Sequence, residues 1–133
     1  MFEVTRNFSF CYGHRLREHP GKCVYLHGHN GLLEITLAAE DVDSQGMVMD
    51  FQVIRDRLGP WIDAHLDHRM VLQTGDPALP RLLELGEPVY EVSFAPTAEN
   101  PARHLFEKAR ELDLPVVAVR LQETPSCQAT YRP

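Results

Sequence analysis

The first residues of the chain alternate between apolar and polar side chains, a pattern typical of a half-buried β-strand. The apolar side chains fall on even positions, with Arg6 as the exception: Phe2, Val4, Phe8 and Phe10. A second alternation, over residues 29–39, predicts a second strand. Runs rich in β-branched and aromatic residues predict two more strands and a short fifth one, at 89–94, 116–121 and 128–131.

A first helix is predicted after Asp50, which is a good N-cap residue. Apolar residues recur beyond it at helical intervals and mark one buried face: Ile54, Leu58, Ile62 and Leu66. Gly59-Pro60 lies inside this pattern and predicts a kink or a split. Residues 73–87 then predict a loop, with one short helical turn at 80–85.

A second helix is predicted up to about Leu112, with Thr97 or Asn100 as its cap. Strands and helices alternate too few times for a doubly wound parallel sheet. The pattern predicts one α+β domain, residues 1–133, in which two helices cover one face of an antiparallel four-stranded sheet. The open edges of such a sheet invite pairing with another subunit.

The composition is that of an ordinary soluble domain of 133 residues, 44% apolar and 24% charged. A net charge of -6 argues against nucleic acid as a partner. No apolar run is long enough to span a membrane, and no signal peptide is evident. The three cysteines are expected to be free thiols, which favours a cytoplasmic location.

The stretch from Cys23 to His29 contains the clearest candidate chemistry. His27 and His29 lie two residues apart, so on an extended chain both imidazoles point to one face and can bind one cation. A catalytic zinc takes three protein ligands and keeps one position open. His14, at the end of the preceding apolar run, is the nearest candidate for the third ligand.

Three further groups each allow two interpretations. Cys23 is either a small buried hydrophobe or a base or nucleophile near the cation. Asp67-His68 is either the polar end of a helix or a carboxylate that orients an imidazole for proton transfer, which requires that the helix has ended. Glu123 lies where a β-branched strand ends, and the residues alone favour a solvated strand end.

Short motifs follow one another along nearly the whole chain: Phe8-Ser9-Phe10, Gly13-His14-Arg15-Leu16, Gly21-Lys22-Cys23, Leu26-His27-Gly28-His29-Asn30, Gly46-Met47-Val48, Asp50-Phe51, Leu66-Asp67-His68, Pro96-Thr97-Ala98-Glu99-Asn100 and Glu123-Thr124. Their order resembles the 6-pyruvoyl-tetrahydropterin synthase family. Within that family, a cysteine followed after three residues by His-Gly-His is similar to the bacterial 6-carboxy-tetrahydropterin synthase branch of queuosine biosynthesis.

The resemblance implies a tunnelling fold (T-fold), in which subunits join their sheet edges into barrels, usually as a trimer stacked into a hexamer. It implies zinc as the cofactor and a pterin pocket in which Glu123 anchors the ring and Thr97 lines the wall. The implied zinc ligands are His14, His27 and His29. The implied proton-transfer group is Cys23, Asp67 and His68.

The implied substrate is 7,8-dihydroneopterin triphosphate, which would yield 6-carboxytetrahydropterin, acetaldehyde and triphosphate without a redox cofactor. The nearest rival reaction forms 6-pyruvoyl-tetrahydropterin and keeps the side-chain carbons. A chain of net charge -6 must concentrate positive residues where the triphosphate sits. Arg15 and Lys22 are the expected phosphate-binding residues, Arg69 is a further candidate, and Arg17 is expected to be solvated.

The sequence departs from the family at three places around the pocket. Tyr12-Gly13 stands where the family commonly has two alanines, and Arg69-Met70 stands where many members carry leucine and asparagine. Residues 74–87 form a longer segment than in compact members. These departures bear on substrate details and not on the zinc ligands.

Two other classes of protein fit the sequence less well than this family. In this chain most of the first metal motif of cupins is matched by Gly21, His27, His29 and Glu34. The second cupin motif is absent, however, and two helical patterns do not suit a jelly roll. A zinc-stabilised binding module without catalysis would leave the cysteine, the Asp-His pair and Glu123 without a joint purpose.

Overall fold

Two long antiparallel strands form the centre of the sheet. In the computed structural model, which describes residues 1–133, β1 (Phe2–His14) pairs with β2 (His27–Ala39) along the full length of both strands. β5 (Val116–Thr124) lies antiparallel beside β2, and β6 (Cys127–Tyr131) lies antiparallel beside β5. These four strands correspond to four of the five strands expected from the sequence, and they pair antiparallel as expected.

Of two further strands, the one at 89–92 corresponds to the strand expected at 89–94, whereas the one at 69–73 was not expected. β3 (Arg69–Gln73) runs parallel to β1, β4 (Val89–Val92) runs parallel to β3, and the order is β4-β3-β1-β2-β5-β6. The sheet is therefore mixed and six-stranded, not antiparallel and four-stranded. β3 shows no alternation because its adjacent residues Val71 and Leu72 are both buried, as is typical of parallel strands covered on both faces.

The helices are α1 (Phe51–His65), α2 (Ala78–Glu84) and α3 (Glu99–Glu111). The Asp50 side chain caps α1 by accepting a hydrogen bond from the Gln52 N–H at 2.8 Å. The expected split at Gly59-Pro60 does not occur, and α1 is continuous through Pro60. Pro60 is exposed, so the carbonyl that loses its N–H partner can bond to water instead.

The start of α3 is capped from outside the helix. The helix begins after Ala98, and the Thr97 hydroxyl accepts a hydrogen bond from the Asn100 N–H at 3.2 Å. Thr97 therefore supplies the capping bond, and Asn100 belongs to the first turn. A 3-10 turn at Lys22–Val24 lies in the loop between β1 and β2.

One hydrophobic core lies between the sheet and the helices α1 and α3. It contains the inward-facing residues of the central strands and of both helices, among them Phe10, Leu33, Ile35, Ile54, Leu58, Leu105, Phe106 and Val119. The opposite face of the sheet is polar and carries side-chain pairs such as Thr5–Thr36 and Glu34–Arg120. No helix of the protein is long and apolar enough to span a membrane.

Candidate metal centre

Three histidines meet at one end of the core face of the sheet. In the β1–β2 register His14 lies opposite His27, and Tyr12 lies opposite His29. All three imidazoles offer ligand atoms within 4.8 Å of one another, and Nε2 of His14 lies 3.0 Å from Nε2 of His29. The strand alternation that buries the core therefore also aims three imidazoles at one point.

Backbone carbonyls determine which nitrogen of two rings faces that point. Nδ1 of His14 lies 2.6 Å from the Pro96 carbonyl, and Nδ1 of His27 lies 2.7 Å from the Tyr25 carbonyl. A carbonyl only accepts, so each Nδ1 carries the hydrogen and each Nε2 keeps a free lone pair. This arrangement, with the second nitrogen bonded to a carbonyl, is typical of metal-ligating histidines.

Burial favours the metal-binding form of His14 and His29. Burial is the main cause that lowers the pKa of both His14 and His29, and His14 is only 2% exposed. Neutral imidazoles are the ligand form of histidine. The three residues therefore fit a zinc ion, with one coordination position left open.

Glu123 lies directly beside this cluster. Its carboxylate oxygens are 3.8 Å from Nε2 of His14 and 3.8 Å from Nε2 of His29. β5 pairs with β2, and this pairing brings the end of β5 to the histidines. Glu123 is therefore not the solvated strand end that the residues alone favoured, because its side chain is only 19% exposed.

Tyr12 belongs to the site, although from the sequence it was identified only as a departure from the family. Its hydroxyl lies 3.4 Å from Oε1 of Glu123, and its ring is buried. Burial, followed by the charge of Glu123, raises the pKa of the Tyr12 hydroxyl, so this group stays protonated and can donate. The alternation of β1 already placed Tyr12 on the same face as His14, and that was the available signal.

The Asp67-His68 pair lies just beyond the end of α1, as proton transfer between adjacent residues requires. Nδ1 of His68 is 3.0 Å from Asp67, whose other oxygen accepts a hydrogen bond from the Cys11 N–H at 3.0 Å. The hydrogen bond from His68 is the largest of the causes that lower the pKa of the Asp67 carboxyl. His68 has a φ of 57°, in the left-handed region, which marks the break between α1 and β3.

An open cavity of about 620 Å³ adjoins both groups. His27, His29 and His68 line it together with Cys11, Arg69 and residues of α2. The imidazole of His68 and two of the three clustered histidines therefore face one space. Cys23 does not line this cavity.

Cys23 and Lys22 lie in the 3-10 turn that precedes β2. Cys23 is half-buried, and its thiol makes no hydrogen bond. Lys22 is exposed and forms no ion pair. The structure brings the three histidines and Glu123 together within one chain, but it does not bring Cys23 and His68 into one cavity.

The expected phosphate-binding residue Arg15 already has a partner. Its Nε donates to Asp76 at 2.9 Å, and its Nη2 also bonds to that carboxylate, which is buried. Arg15, Arg17 and Thr97 line a second open cavity of about 710 Å³. Arg69 lies in the first cavity instead, with its Nε buried and without a hydrogen-bond partner.

The cupin alternative is wrong. A mixed sheet covered by helices is not a jelly roll. Glu34, the fourth residue of the supposed cupin motif, lies on the opposite face of β2 from His27 and His29 and is paired with Arg120.

The fold and the site together define a T-fold domain with a cluster of three histidines that could hold a metal ion. The 6-pyruvoyl tetrahydropterin synthase family model matches residues 3–133, and the chain belongs to this family.

Similar proteins come from several bacteria and from an animal. The 6-carboxy-5,6,7,8-tetrahydropterin synthase of Rickettsia bellii is 42% identical over 96% of this chain and 97% of its own length. The enzyme of the same name from Aquifex aeolicus is 30% identical over 98% of both chains. The crystal structure of an uncharacterized Wolinella succinogenes protein superposes with a TM-score of 0.85 at 27% identity, covering 98% of this chain and 97% of that one.

A second solved structure is the 6-pyruvoyl tetrahydropterin synthase of Caenorhabditis elegans. It superposes with a TM-score of 0.75 at 26% identity and covers 99% of this chain and 95% of that one. The T-fold expected from the motifs is therefore confirmed, although the sheet has more strands than expected.

Proposed function

We propose that this protein is a zinc-dependent lyase that converts 7,8-dihydroneopterin triphosphate into 6-carboxy-5,6,7,8-tetrahydropterin, acetaldehyde and triphosphate, as a step of queuosine biosynthesis. The observation that carries the proposal is the convergence of three imidazoles beside the carboxylate of Glu123. The names of the bacterial relatives support the choice of product.

Zinc is the proposed cofactor, and His14, His27 and His29 would hold it. When bound, zinc lowers the pKa of hydroxyl groups and polarises a carbonyl. Pro96 and Tyr25 orient two of the three rings through their carbonyls, so the ligands are preorganised. Little rearrangement of these rings is then needed on binding.

Glu123 is the proposed anchor of the pterin ring. A carboxylate has two acceptor oxygens side by side, which match the adjacent amino and ring N–H donors of a pterin. The position of Glu123 beside the histidines would place the pterin side chain next to the metal. Thr97 is the proposed wall residue of this pocket, although in one chain it lines the neighbouring cavity with Arg15.

Cys23, Asp67 and His68 are proposed to move protons. Asp67 orients the His68 ring by its 3.0 Å contact with Nδ1, which leaves Nε2 free to take or give a proton in the cavity. Cys23 lies outside that cavity in one chain. If both groups act on one substrate, we infer that they come from neighbouring subunits.

A homo-oligomer built from sheet edges is proposed for the same protein. β3 pairs with β1 only at Tyr12 and Gly13, so residues 2–10 of β1 present an open edge. The outer edge of β6 is open as well. Two open edges on one subunit allow a ring of subunits to close into a barrel, as in the trimers and hexamers expected of a T-fold.

The triphosphate is proposed to lie near Lys22. Arg15 and Arg69 were the other candidates, and Asp76 neutralises the charge of Arg15 and occupies two of its donors. Lys22 precedes Cys23 and is free to reach a phosphate.

Product analysis tests the reaction. Zinc-loaded protein is incubated with 7,8-dihydroneopterin triphosphate, and the pterin products are identified by mass spectrometry. We expect 6-carboxytetrahydropterin and acetaldehyde, and neither from a His27→Ala/His29→Ala variant. Formation of 6-pyruvoyl-tetrahydropterin would instead support the rival reaction, which the likeness to the nematode enzyme favours. Absence of both products would refute the proposal.

A further inference from the structure

Tyr12 is buried at the centre of the site, where it contacts the carboxylate and two of the imidazoles. Its hydroxyl is 3.4 Å from Oε1 of Glu123. Its ring centroid lies 5.5 Å from that of His14 and 5.7 Å from that of His29. The phenol is therefore held against the ligand rings while its hydroxyl points to Glu123.

We infer that Tyr12 is a positioning residue for Glu123, whose carboxylate it holds toward the pterin by donating its O–H to Oε1. The inference rests on the proposed function, because it assigns Tyr12 a role in the binding of the pterin ring. Oε1 has two lone pairs, so it can accept from Tyr12 and from the pterin at the same time.

No other side chain in the protein can take over this role once a metal is bound. The other polar atoms near the carboxylate are Nε2 of His14 and Nε2 of His29, each 3.8 Å away. An Nε2 that ligates a cation has no hydrogen to donate. The Tyr12 hydroxyl is then the one side-chain donor that this chain offers to Glu123.

The position of the Tyr12 ring depends on a missing side chain on the neighbouring strand. Gly31 lies opposite Phe10, one pair along from Tyr12 on the same face of the sheet. A Cβ added at Gly31 would lie 2.9 Å from Cε1 of Tyr12, so the ring would have to move. The large side chain at position 12 and the glycine at position 31 thus form a matched pair.

The binding of 7,8-dihydroneopterin, which lacks phosphates, tests the inference. Tyr12→Phe keeps the ring and removes the hydroxyl. We expect its affinity for dihydroneopterin to fall about tenfold, as for the loss of a hydrogen bond to a charged group, with zinc content unchanged. Gly31→Ala should lower the affinity as well, because it displaces the ring.

Tyr90→Phe is the matched control. Its hydroxyl bonds to Nε2 of His104 at 2.8 Å and not to Glu123 or a clustered histidine, so its loss should leave dihydroneopterin affinity unchanged. Equal affinity of Tyr12→Phe and the wild-type protein would overturn the inference.

A double-mutant cycle shows whether Tyr12 acts through Glu123. In a Glu123→Gln background, Tyr12→Phe should lower the affinity much less than it does in the wild type. The same four proteins are compared by melting temperature at one protein concentration, where the shifts should not add. This comparison needs no pterin, so it tests the contact even if the wild-type protein fails to bind dihydroneopterin. The proposed function is tested separately, by product analysis with the triphosphate. Additive shifts in melting temperature would overturn the inference about Tyr12.

Discussion

At the scale of single residues, the geometry of the metal centre depends on groups that do not bind the metal. The Pro96 carbonyl comes from the segment before α3, and it orients His14 through Nδ1 at 2.6 Å. The Tyr25 carbonyl does the same for His27. Backbone carbonyls therefore set the orientation of both imidazole rings. Substitution of the Pro96 or Tyr25 side chain would change that orientation only indirectly.

Removal of all three imidazoles should abolish zinc binding. The variant His14→Ala/His27→Ala/His29→Ala is expected to contain almost no zinc and to keep the far-ultraviolet circular dichroism of the wild type, because the histidines lie at the end of the core. Metal analysis by mass spectrometry provides the measurement. His19→Ala, in an exposed loop, is the control and should keep its zinc. Full zinc content in the triple variant would exclude these ligands.

Cys23 should matter for turnover and not for metal binding. Cys23→Ala is expected to keep its zinc and its affinity for pterin but to lose about 10²–10⁴-fold in rate, the usual contribution of a positioned proton-transfer group. Steady-state kinetics measure the effect, with Cys127→Ala, an exposed thiol at the start of β6, as the control. A Cys23→Ala enzyme of near-normal rate would show that another group takes the proton.

At the scale of elements, one ion pair joins the loop after β1 to the loop before α2. Arg15 binds Asp76 through two nitrogens, and Asp76 also accepts a hydrogen bond from the Ala78 N–H at the start of α2. Asp76 is 2% exposed, so an unpaired charge there would be costly. The pair therefore stabilises the α2 segment, which lines the cavity beside the histidines.

Asp76→Asn should lower the stability in a way that depends on pH. The hydrogen bond from Arg15 is the main cause that lowers the pKa of Asp76 below its unfolded value of about 4. The stabilisation is then fully present above pH 4 and is lost as the pH falls through the lower folded-state pKa. We expect the variant to lose about 1–3 kcal/mol at pH 7, because Arg15 is partly exposed, and less at pH 3. Urea unfolding at both pH values measures this difference.

Asp63→Asn is the control for the same experiment. Asp63 is exposed on α1 and makes no side-chain hydrogen bond. The Asp63→Asn variant should therefore be as stable as the wild type at both pH values. A stability difference between wild type and Asp76→Asn that was as large at pH 3 as at pH 7 would argue against the ion pair as its source.

At the scale of the whole molecule, the open edges of β1 and β6 are the surfaces that can pair with another subunit. Without a partner strand, the unpaired N–H and C=O groups along residues 2–10 and along β6 can form hydrogen bonds only with water. Phe2, in the open part of β1, is 51% exposed as well. Edge pairing between copies of the chain would cover both features at once.

The protein should therefore sediment as a trimer or hexamer at micromolar concentration. Replacement of Asn7 by proline removes a backbone N–H from the open edge of β1, because Asn7 lies on the same side of the strand as Cys11, whose N–H and C=O both point away from β2. Folding of this variant is checked by circular dichroism. Thr130→Pro, on β6, is the second variant, and either should shift the population toward smaller species. A wild-type monomer in analytical ultracentrifugation would contradict the edge-pairing proposal.

Mixed oligomers should show whether active sites are shared between subunits. Cys23→Ala and His68→Ala proteins are each expected to be inactive. Dissociated and reassembled together, they should recover part of the activity, because some sites then receive both intact groups. If the reassembled mixture is no more active than each variant by itself, Cys23 and His68 act in a site within one chain.

Local pattern alone was enough to predict much of this protein. Alternation identified β1 and β2, and runs of β-branched and aromatic residues identified β4, β5 and β6. Helical spacing identified α1, and cap residues identified the start of α3, because each of these patterns is local to a single element. The same alternation put His27 and His29 on one face, and the order of the motifs indicated the family. These features depend on neighbours in the chain, so no tertiary information was needed.

Tertiary structure decided the features that depend on which elements become neighbours. β3 was missed because burial on both faces removes its alternation, and Pro60 stayed inside α1 because its side of the helix faces water. The pairing of β5 with β2 moved Glu123 from an expected strand end to the metal centre, and Asp76 engaged Arg15, which the sequence left free. Each outcome follows from contacts between residues far apart in the chain, and a local pattern has no information about such contacts.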